Sequence, residues 1–335
     1  MRREQLEENQ IGLYAVALAV GMGLGLWNSS FGASLEYLIS PVLALLLYSM
    51  FAQIPFLQLR EAFANKRFTA ALLLVNFIIV PTVVWLLSLF LPEHPQLLLG
   101  VYLVLLTPCI DYVVVFTHLG RGNARLVLAS TPLLLLTQML LLPVYLWLFM
   151  GEQAAQVMSA EPFLEAFFIL IAFPLGLALS TEFWAKRQRN GAIWLEVTAW
   201  FPVPFMAVTL LLVVASQIGR IEEYLPVVEQ VVPVYIAFMT IMPFLARLIA
   251  YAFRLDTQAG RALVFSAGTR NSLVVLPLAL ALPDGWILAS VVIVTQTLVE
   301  LIGELIYIRL VPSIIFQESK SLEISKAFSK KKESG

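Results

Sequence analysis

Ten apolar runs, each about as long as a bilayer is thick, constrain this chain more than any other feature of its sequence. A helix needs roughly 20 predominantly apolar residues to cross the hydrocarbon core of a membrane. The runs cover residues 11–28, 35–58, 69–92, 96–117, 125–149, 163–183, 192–216, 224–252, 261–282 and 286–308. The sequence therefore predicts an all-α integral membrane protein with ten transmembrane helices.

The composition argues against a soluble protein. Of the 335 residues, 60% are hydrophobic and only 13% are charged, whereas soluble domains carry roughly 25% charged residues. No stretch between the runs is long enough for a soluble domain, so we expect one transmembrane domain over 1–317 and a polar cytoplasmic tail over 318–335. Outside that tail there is no basic face and no zinc-like spacing of Cys and His, which argues against nucleic acid as a partner.

The basic residues of the loops alternate along the chain. They precede run 1, separate runs 2 and 3, 4 and 5, 6 and 7, and 8 and 9, and follow run 10, while the other loops carry none except Arg220. Cytoplasmic loops carry an excess of Lys and Arg. This pattern predicts a multi-pass protein of the cell inner membrane with both termini in the cytoplasm.

The ten runs divide into two sets of five, over roughly 11–150 and 160–312. Because five is odd, two related halves must lie inverted in the membrane, as in many secondary transporters. A weak internal similarity supports this: Thr137-Gln138 in run 5 and Thr295-Gln296 in run 10 lie 158 residues apart. We therefore predict two inverted five-helix repeats.

Runs 4 and 9 are both interrupted. In run 4, Pro108 removes a backbone donor and disfavours helix at Thr107. In run 9, the stretch from Ser266 to Ser272 places polar and glycine residues within an apolar segment. Paired broken helices point to a binding site at the membrane midplane. The alternative is a proline kink with a polar helix–helix contact. We expect helices 4 and 9 to be broken.

Four charged residues lie within the runs: Asp111, Arg270, Glu300 and Glu304. Each costs roughly 2.5–3.5 kcal/mol near a helix centre, so each needs a partner or a function. Asp111 and Arg270 are expected either to form an ion pair or to bind substrate. Glu300 is the candidate proton carrier, because loss of water disfavours a charged carboxylate. Thr297, Glu300 and Glu304 share one face of the helix, which is expected to point towards the protein interior; the alternative for Glu304, nearer Arg309, is a charge at the membrane interface.

Three uncharged polar residues complete the candidate site. Cys109, the only cysteine, follows the proline in the broken run, and its thiolate is a ligand for soft ions; it is also a small apolar side chain that packs well. Asn76 is expected to line the same cavity or to make a helix–helix hydrogen bond. Asn271 belongs to the polar segment of run 9. We predict no cofactor and no metal site other than Cys109 for a metalloid.

Two motifs resemble known transporter families. Pro108-Cys109, the valines at 113–115 and then Arg121-Gly122-Asn123 resemble the fourth helix of arsenical-resistance permeases. The segment Gly268-Thr269-Arg270-Asn271-Ser272 resembles that of bacterial bile acid:sodium symporters. Both families belong to one superfamily of ten-helix transporters with crossed fourth and ninth helices. The resemblance implies that fold, with Cys109 as the transport cysteine and Glu300 as the essential tenth-helix glutamate.

The chain departs from both families in ways that bear on function. The symporters hold sodium with a glutamate and a glutamine at the positions of Ser266 and Arg270, and a guanidinium there argues against sodium coupling. The arsenite branch does not usually carry an acid at the position of Asp111. These departures leave room for a different substrate.

Two transport hypotheses follow, and neither is an enzyme, since no catalytic constellation and no nucleotide-phosphate loop is present. The first is proton-coupled efflux of arsenite, with antimonite as a further candidate substrate, the metalloid on Cys109 and protons exchanged through Glu300. The second is transport of a small organic anion held by Arg270. A membrane sensor without transport is a third class. Cysteine dependence separates the first hypothesis from the second.

Overall fold

The structure, a computed structural model, describes residues 9–54, 65–110, 112–151, 168–280, 282 and 286–317. These residues are helical almost throughout, in all ten of the predicted runs. The first five runs, with the loop between runs 1 and 2, contain α1 (Gln10–Trp27), α2 (Ser29–Ser34, in that loop), α3 (Ile39–Phe51), α4 (Lys66–Leu74), α5 (Val80–Ser88), α6 (Pro95–Leu105), α7 (Val113–Leu119) and α8 (Ala124–Met150). The last five contain α9 (Phe173–Arg187), α10 (Arg189–Thr198), α11 (Pro202–Glu223), α12 (Leu225–Ala252), α13 (Thr257–Gly268), α14 (Ser272–Leu280) and α15 (Ile287–Leu310).

Six helical stretches in the described part of the chain are long and apolar enough to cross a membrane. They are Ser30–Phe51, Lys66–Ser88, Ala124–Met150, Arg189–Gly219, Leu225–Ala252 and Ile287–Ile315. Large apolar side chains cover their outer surface; Leu140 is 74% exposed and Leu248 is 64% exposed, as a lipid-facing surface requires. The count of ten transmembrane helices, the inverted repeat and the division at residue 317 stay predictions.

Local sequence signals set where several helices begin. The side chains of Asn65, Asn123 and Asp256 accept hydrogen bonds from backbone N–H groups of the first turns of α4, α8 and α13. Such caps satisfy donors that have no partner within the helix. All three residues lie in loops that the charge pattern predicts to be cytoplasmic.

Short π-helical segments occur next to prolines. Val75–Ile79 joins α4 to α5 just before Pro81, and Phe168–Ala172 leads into α9 just before Pro174. Proline lacks the N–H that would bond the carbonyl four residues earlier. The carbonyl of Phe77 instead accepts a hydrogen bond of 2.5 Å from the Tyr145 hydroxyl of α8. A third such segment, Val311–Ile315, extends α15.

The helices pack as two bundles. Helices of runs 1, 2, 6 and 7 (α1–α3 and α9–α11) contact one another, and we call them the flanking bundle. Helices of runs 3, 4, 5, 8, 9 and 10 (α4–α8 and α12–α15) contact one another and form the crossing bundle. The bundles meet where α11 contacts α15 and where α14 contacts α3.

Glycines allow the closest approach within the flanking bundle. A Cβ atom on Gly21 of α1 would lie 2.8 Å from the Leu211 carbonyl oxygen, and one on Gly25 would lie 2.5 Å from that of Ala215. Small residues four apart allow two helix backbones to pack closely. The Gly21–Gly25 pair therefore fixes α1 against α11.

Candidate functional site

The interruptions of runs 4 and 9 meet in the centre of the crossing bundle. Pro108 and Arg270 form an isolated antiparallel β-bridge. The backbone N–H of Cys109 donates to the Thr269 carbonyl (3.2 Å), and that of Asn271 donates to the Thr107 carbonyl (2.9 Å). We call these paired segments, residues 107–109 and 269–271, the crossing. Each broken helix satisfies backbone groups that the other leaves free, as irregular backbone at membrane depth requires.

The side chain of Arg270 is fully buried beside the crossing. Its Nη2 lies 2.9 Å from the side-chain oxygen of Asn76, 2.5 Å from the Ser266 carbonyl oxygen and 2.9 Å from that of Ala267. The guanidinium also lies 5.6 Å from the centre of the Phe238 ring, within the range of a cation–π interaction. Among the described residues, its hydrogen-bond acceptors are all uncharged oxygens.

Two carboxyl groups from α15 approach the same crossing. Glu300 Oε2 accepts from the backbone N–H of Arg270 at 2.9 Å and from the side-chain amide of Gln296. Glu304 Oε1 accepts from the Thr269 hydroxyl at 2.6 Å. Both side chains are fully buried, which agrees with the expected inward-facing side of the helix and argues against the alternative of an interfacial Glu304. One helical turn separates them, which places both on the face of α15 that packs on the crossing.

Tyr112, which the sequence interpretation missed, links Glu300 to the crossing backbone. Its hydroxyl oxygen lies 2.7 Å from Glu300 Oε1 and 2.9 Å from the Arg270 carbonyl oxygen. A hydroxyl carries one proton, so it donates fully to only one of these acceptors at a time. Both contacts become complete hydrogen bonds when Glu300 is protonated on Oε1 and donates to Tyr112, which then donates to the carbonyl.

A cavity of about 320 Å³ opens between the two bundles beside Tyr112. The flanking bundle contributes residues of α1, α3 and α11, and the crossing bundle contributes α7, α8 and the residues before α7. Its walls are largely apolar, with Gln53 and Tyr112 among the polar groups. Small-molecule sites are of this kind, apolar hollows of roughly 300–1,000 Å³ with a few polar groups.

A second cavity, of about 50 Å³, lies on the other side of the crossing. Thr107, Gln138 of α8, Ile171 and Val274 of α14 are among its lining residues. The Gln138 side-chain oxygen is buried without a hydrogen-bond partner in the described structure. The larger cavity adjoins the helix ends next to the predicted cytoplasmic loops, and the smaller one adjoins the opposite ends.

The predicted site residues are brought together only in part. Asn76, Arg270 and Asn271 are fully buried at or beside the crossing, and Asn76 makes a helix–helix hydrogen bond to Ser266 (3.1 Å). The Cys109 thiol is fully buried and is not in a disulfide; its neighbour Ile110 lines the larger cavity. Asp111 lies outside the described residues, so its pairing with Arg270 stays a prediction.

A family model decides the class of the protein. Residues 40–224, more than half of the chain, match the model of the Sodium Bile acid symporter family. The chain belongs to this family. No curated protein sequence matches it. The family assignment supports the superfamily that the motifs suggested, and the arsenical-resistance branch stays a hypothesis.

Family membership and the apolar helices together define a multi-pass membrane transport protein of the bile acid:sodium symporter type. The proteins of this family are transporters and not enzymes. The matched segment ends at residue 224 and so covers Pro108 and Cys109 but not Arg270 or Glu300. The role of the second half of the crossing therefore rests on its geometry in this chain.

Proposed function

We propose that this chain is a secondary active transporter that carries a small amphipathic organic solute between the two bundles. The cavity of about 320 Å³ beside Tyr112 carries this proposal. Its apolar walls suit the hydrophobic part of such a solute, and the Gln53 amide and the Tyr112 hydroxyl provide hydrogen bonds for a polar group.

The position of the two cavities supports transport by alternating access. They lie on opposite sides of the crossing, and residues of both bundles line the larger one. Movement of the flanking bundle against the crossing bundle would close the larger cavity and enlarge the smaller one, around a site that stays in place. In this arrangement the larger cavity faces the predicted cytoplasmic side.

Glu300 is the residue that we propose for proton coupling, together with Tyr112. Tyr112 both lines the larger cavity and contacts Glu300, so it offers a path of one hydroxyl group between cavity water and the buried carboxyl. A protonated Glu300 allows both hydrogen bonds of Tyr112, and an ionised Glu300 competes with the Arg270 carbonyl for its proton. Proton uptake would therefore change the bonding of the crossing itself.

Cysteine labelling tests the cavity without a known substrate. Replacing Cys109 with Ser removes the only cysteine, and Met206→Cys or Leu142→Cys then places one thiol in the larger or the smaller cavity. In inside-out vesicles a membrane-impermeant maleimide should label Met206→Cys faster than Leu142→Cys, with the opposite order in right-side-out vesicles. Leu99→Cys, at a fully buried position, is the control that should not react. Failure of Met206→Cys to react from either side would refute an open cavity.

Transport itself is measured in proteoliposomes with three labelled probes. These are 3-phenylpropionate (a small aryl carboxylate), cholate (a steroid acid) and arsenite. Uptake of an organic probe that exceeds that of empty liposomes, and that depends on an imposed pH gradient, supports the proposal. Uptake of arsenite alone would replace it.

Arsenite efflux is the second candidate, and the position of Cys109 favours it. The thiol lies in the crossing, next to the cavity-lining Ile110, so a small shift of this segment would expose a ligand for a soft metalloid. The test compares arsenite accumulation in cells that lack their own exporters and express wild type, Cys109→Ser or Glu300→Gln. Lower accumulation with wild type, lost in both variants, would establish efflux; no difference despite good expression would eliminate it.

A further inference from the structure

The family's name implies sodium as a coupling ion, and such an ion would need converging oxygen atoms at the crossing. Three oxygen atoms converge beside it: the Asn76 side-chain oxygen and the carbonyl oxygens of Ser266 and Ala267. The two carbonyls belong to the last turn of α13, where it ends at Gly268. Unwound carbonyls and the C-terminal ends of half-helices are the groups that coordinate sodium in transporters.

These three oxygens already hold a cation. Each of them lies 2.5–2.9 Å from one nitrogen, Nη2 of Arg270. Arg270 lies two residues after the end of α13. Its side chain folds back and places its charge where the carbonyl ends of the half-helix carry partial negative charge. A sodium ion on the same oxygens would lie next to a guanidinium in a medium of low dielectric constant, and the two charges would repel strongly.

We infer that the Arg270 guanidinium takes the place of a mobile alkali cation in this chain, so that the protein neither binds nor requires sodium at the crossing. The residues do not fit a sodium ion while Arg270 is present, and they would fit one if its side chain were neutral. This inference goes beyond the proposed solute transport, and it can be tested without any solute.

The remaining bonds of Arg270 agree with a charge that is fixed in place. Nη1 lies 3.4 Å from the Leu105 carbonyl oxygen at the end of α6, and Nε has no hydrogen-bond partner in the described structure. An arginine that only capped α13 would bond the carbonyl groups of that helix and no other group. Arg270 also bonds Asn76, which comes from the π-helical segment of run 3, and so connects three separate runs as a coordinated ion would.

The first measurement is the thermal stability of the purified full chain in NaCl, KCl and N-methylglucamine chloride at one ionic strength. Wild type should melt at the same temperature in all three salts. Arg270→Gln should melt lower than wild type in N-methylglucamine chloride and should regain stability in NaCl with a saturable dependence on concentration, because a ligand that binds only the folded state stabilises it. Arg270→Gln with Asn76→Ala should lose that dependence.

Two matched variants separate a vacated cation site from a general effect of losing an arginine. Arg247→Gln removes a guanidinium that contacts Tyr251 away from the crossing and should remain insensitive to sodium. Arg270→Lys keeps a tethered positive charge and should also remain insensitive. Binding of ²²Na⁺ gives the same comparison directly, with one ion per Arg270→Gln chain and none per wild-type chain.

Three results would overturn the inference. One is saturable stabilisation or ²²Na⁺ binding by wild type. Another is an Arg270→Gln chain that folds but responds to no alkali cation. If Arg270→Gln cannot be recovered even in high NaCl, Arg270→Lys decides: a sodium-dependent Arg270→Lys chain would show that a tethered charge does not replace the ion.

Discussion

Replacement of Tyr112 by Phe tests the link between the cavity and the buried carboxyl with the removal of a single oxygen atom. The ring, which packs edge-on against Phe116 at 6.0 Å between centroids, is retained. The hydroxyl contacts to Glu300 (2.7 Å) and to the Arg270 carbonyl (2.9 Å) are lost. The fold should therefore survive, while an ionised Glu300 loses its donor on Oε1.

The expected magnitude follows from the type of bond. A hydrogen bond to a charged group contributes about 1.5–3 kcal/mol, and one between neutral groups about 1 kcal/mol. Protonated Glu300 loses a neutral bond as well, so only the difference, about 0.5–2 kcal/mol, affects the step that ionises it. If the transport cycle passes through an ionised Glu300, that step should slow by about 2- to 30-fold, at roughly 1.4 kcal/mol per factor of ten. A purely structural bond would instead lower stability slightly and leave proton-driven transport near its wild-type rate.

The assay is proton-driven uptake of the organic probe that wild type carries best, in proteoliposomes with an imposed pH gradient. Tyr235→Phe is the matched control, because its hydroxyl donates to the Val292 carbonyl (3.0 Å) between α12 and α15, away from the larger cavity. Equal transport by the two variants, at equal reconstitution, would refute the role assigned to Tyr112.

Three further predictions concern coupling, packing and capping. Glu300→Gln should keep the exchange of labelled for unlabelled solute, measured by counterflow. It should lose the accumulation of solute that a pH gradient drives, measured by gradient-driven uptake. Gly25→Val should destabilise the chain by about 1–3 kcal/mol, because a Cβ at this position would lie 2.5 Å from the Ala215 carbonyl oxygen. Gly23→Val is the control, since a Cβ at residue 23 meets nothing within 4 Å. Equal melting temperatures of the two variants would contradict the α1–α11 packing. Asp256→Ala should cost about 1 kcal/mol through the lost cap on Ala259 N (2.8 Å), and unchanged melting would show that the cap contributes nothing.

The helices and the two interruptions could be predicted because their signals are local. Apolar runs and Pro108 act within a few residues of their own position, and a buried Glu300 follows from its place in an apolar run. The position of Glu304 stayed open between the protein interior and the interface because its surroundings are not local: Thr269, 35 residues away in the sequence, supplies its hydrogen bond. A carboxyl near a helix end looks interfacial until the crossing is folded against it.

The partners of the site residues depend on contacts that no spacing reveals. The sequence suggested Asp111 as the partner of Arg270, whereas the described partners include backbone carbonyls, which every residue possesses and which carry no sequence signal. Tyr112 was missed because a tyrosine in an apolar run is ordinary. Its signal is its position, four residues after a proline that breaks the helix, next to the point where run 9 must cross.

The charges at the crossing connect the proposed coupling to the inferred role of Arg270. A guanidinium tied to the chain can neutralise one of the two buried carboxyl groups, but it cannot drive transport, because it never leaves the protein. The described crossing then holds one fixed positive charge against Glu300 and Glu304. With both ionised, a net negative charge would remain in a medium that disfavours it. A proton on one of them removes that charge, and unlike Arg270 the proton can be released on the other side of the membrane. On the two proposals together, a fixed cation removes the need for sodium and leaves the proton as the ion that can move.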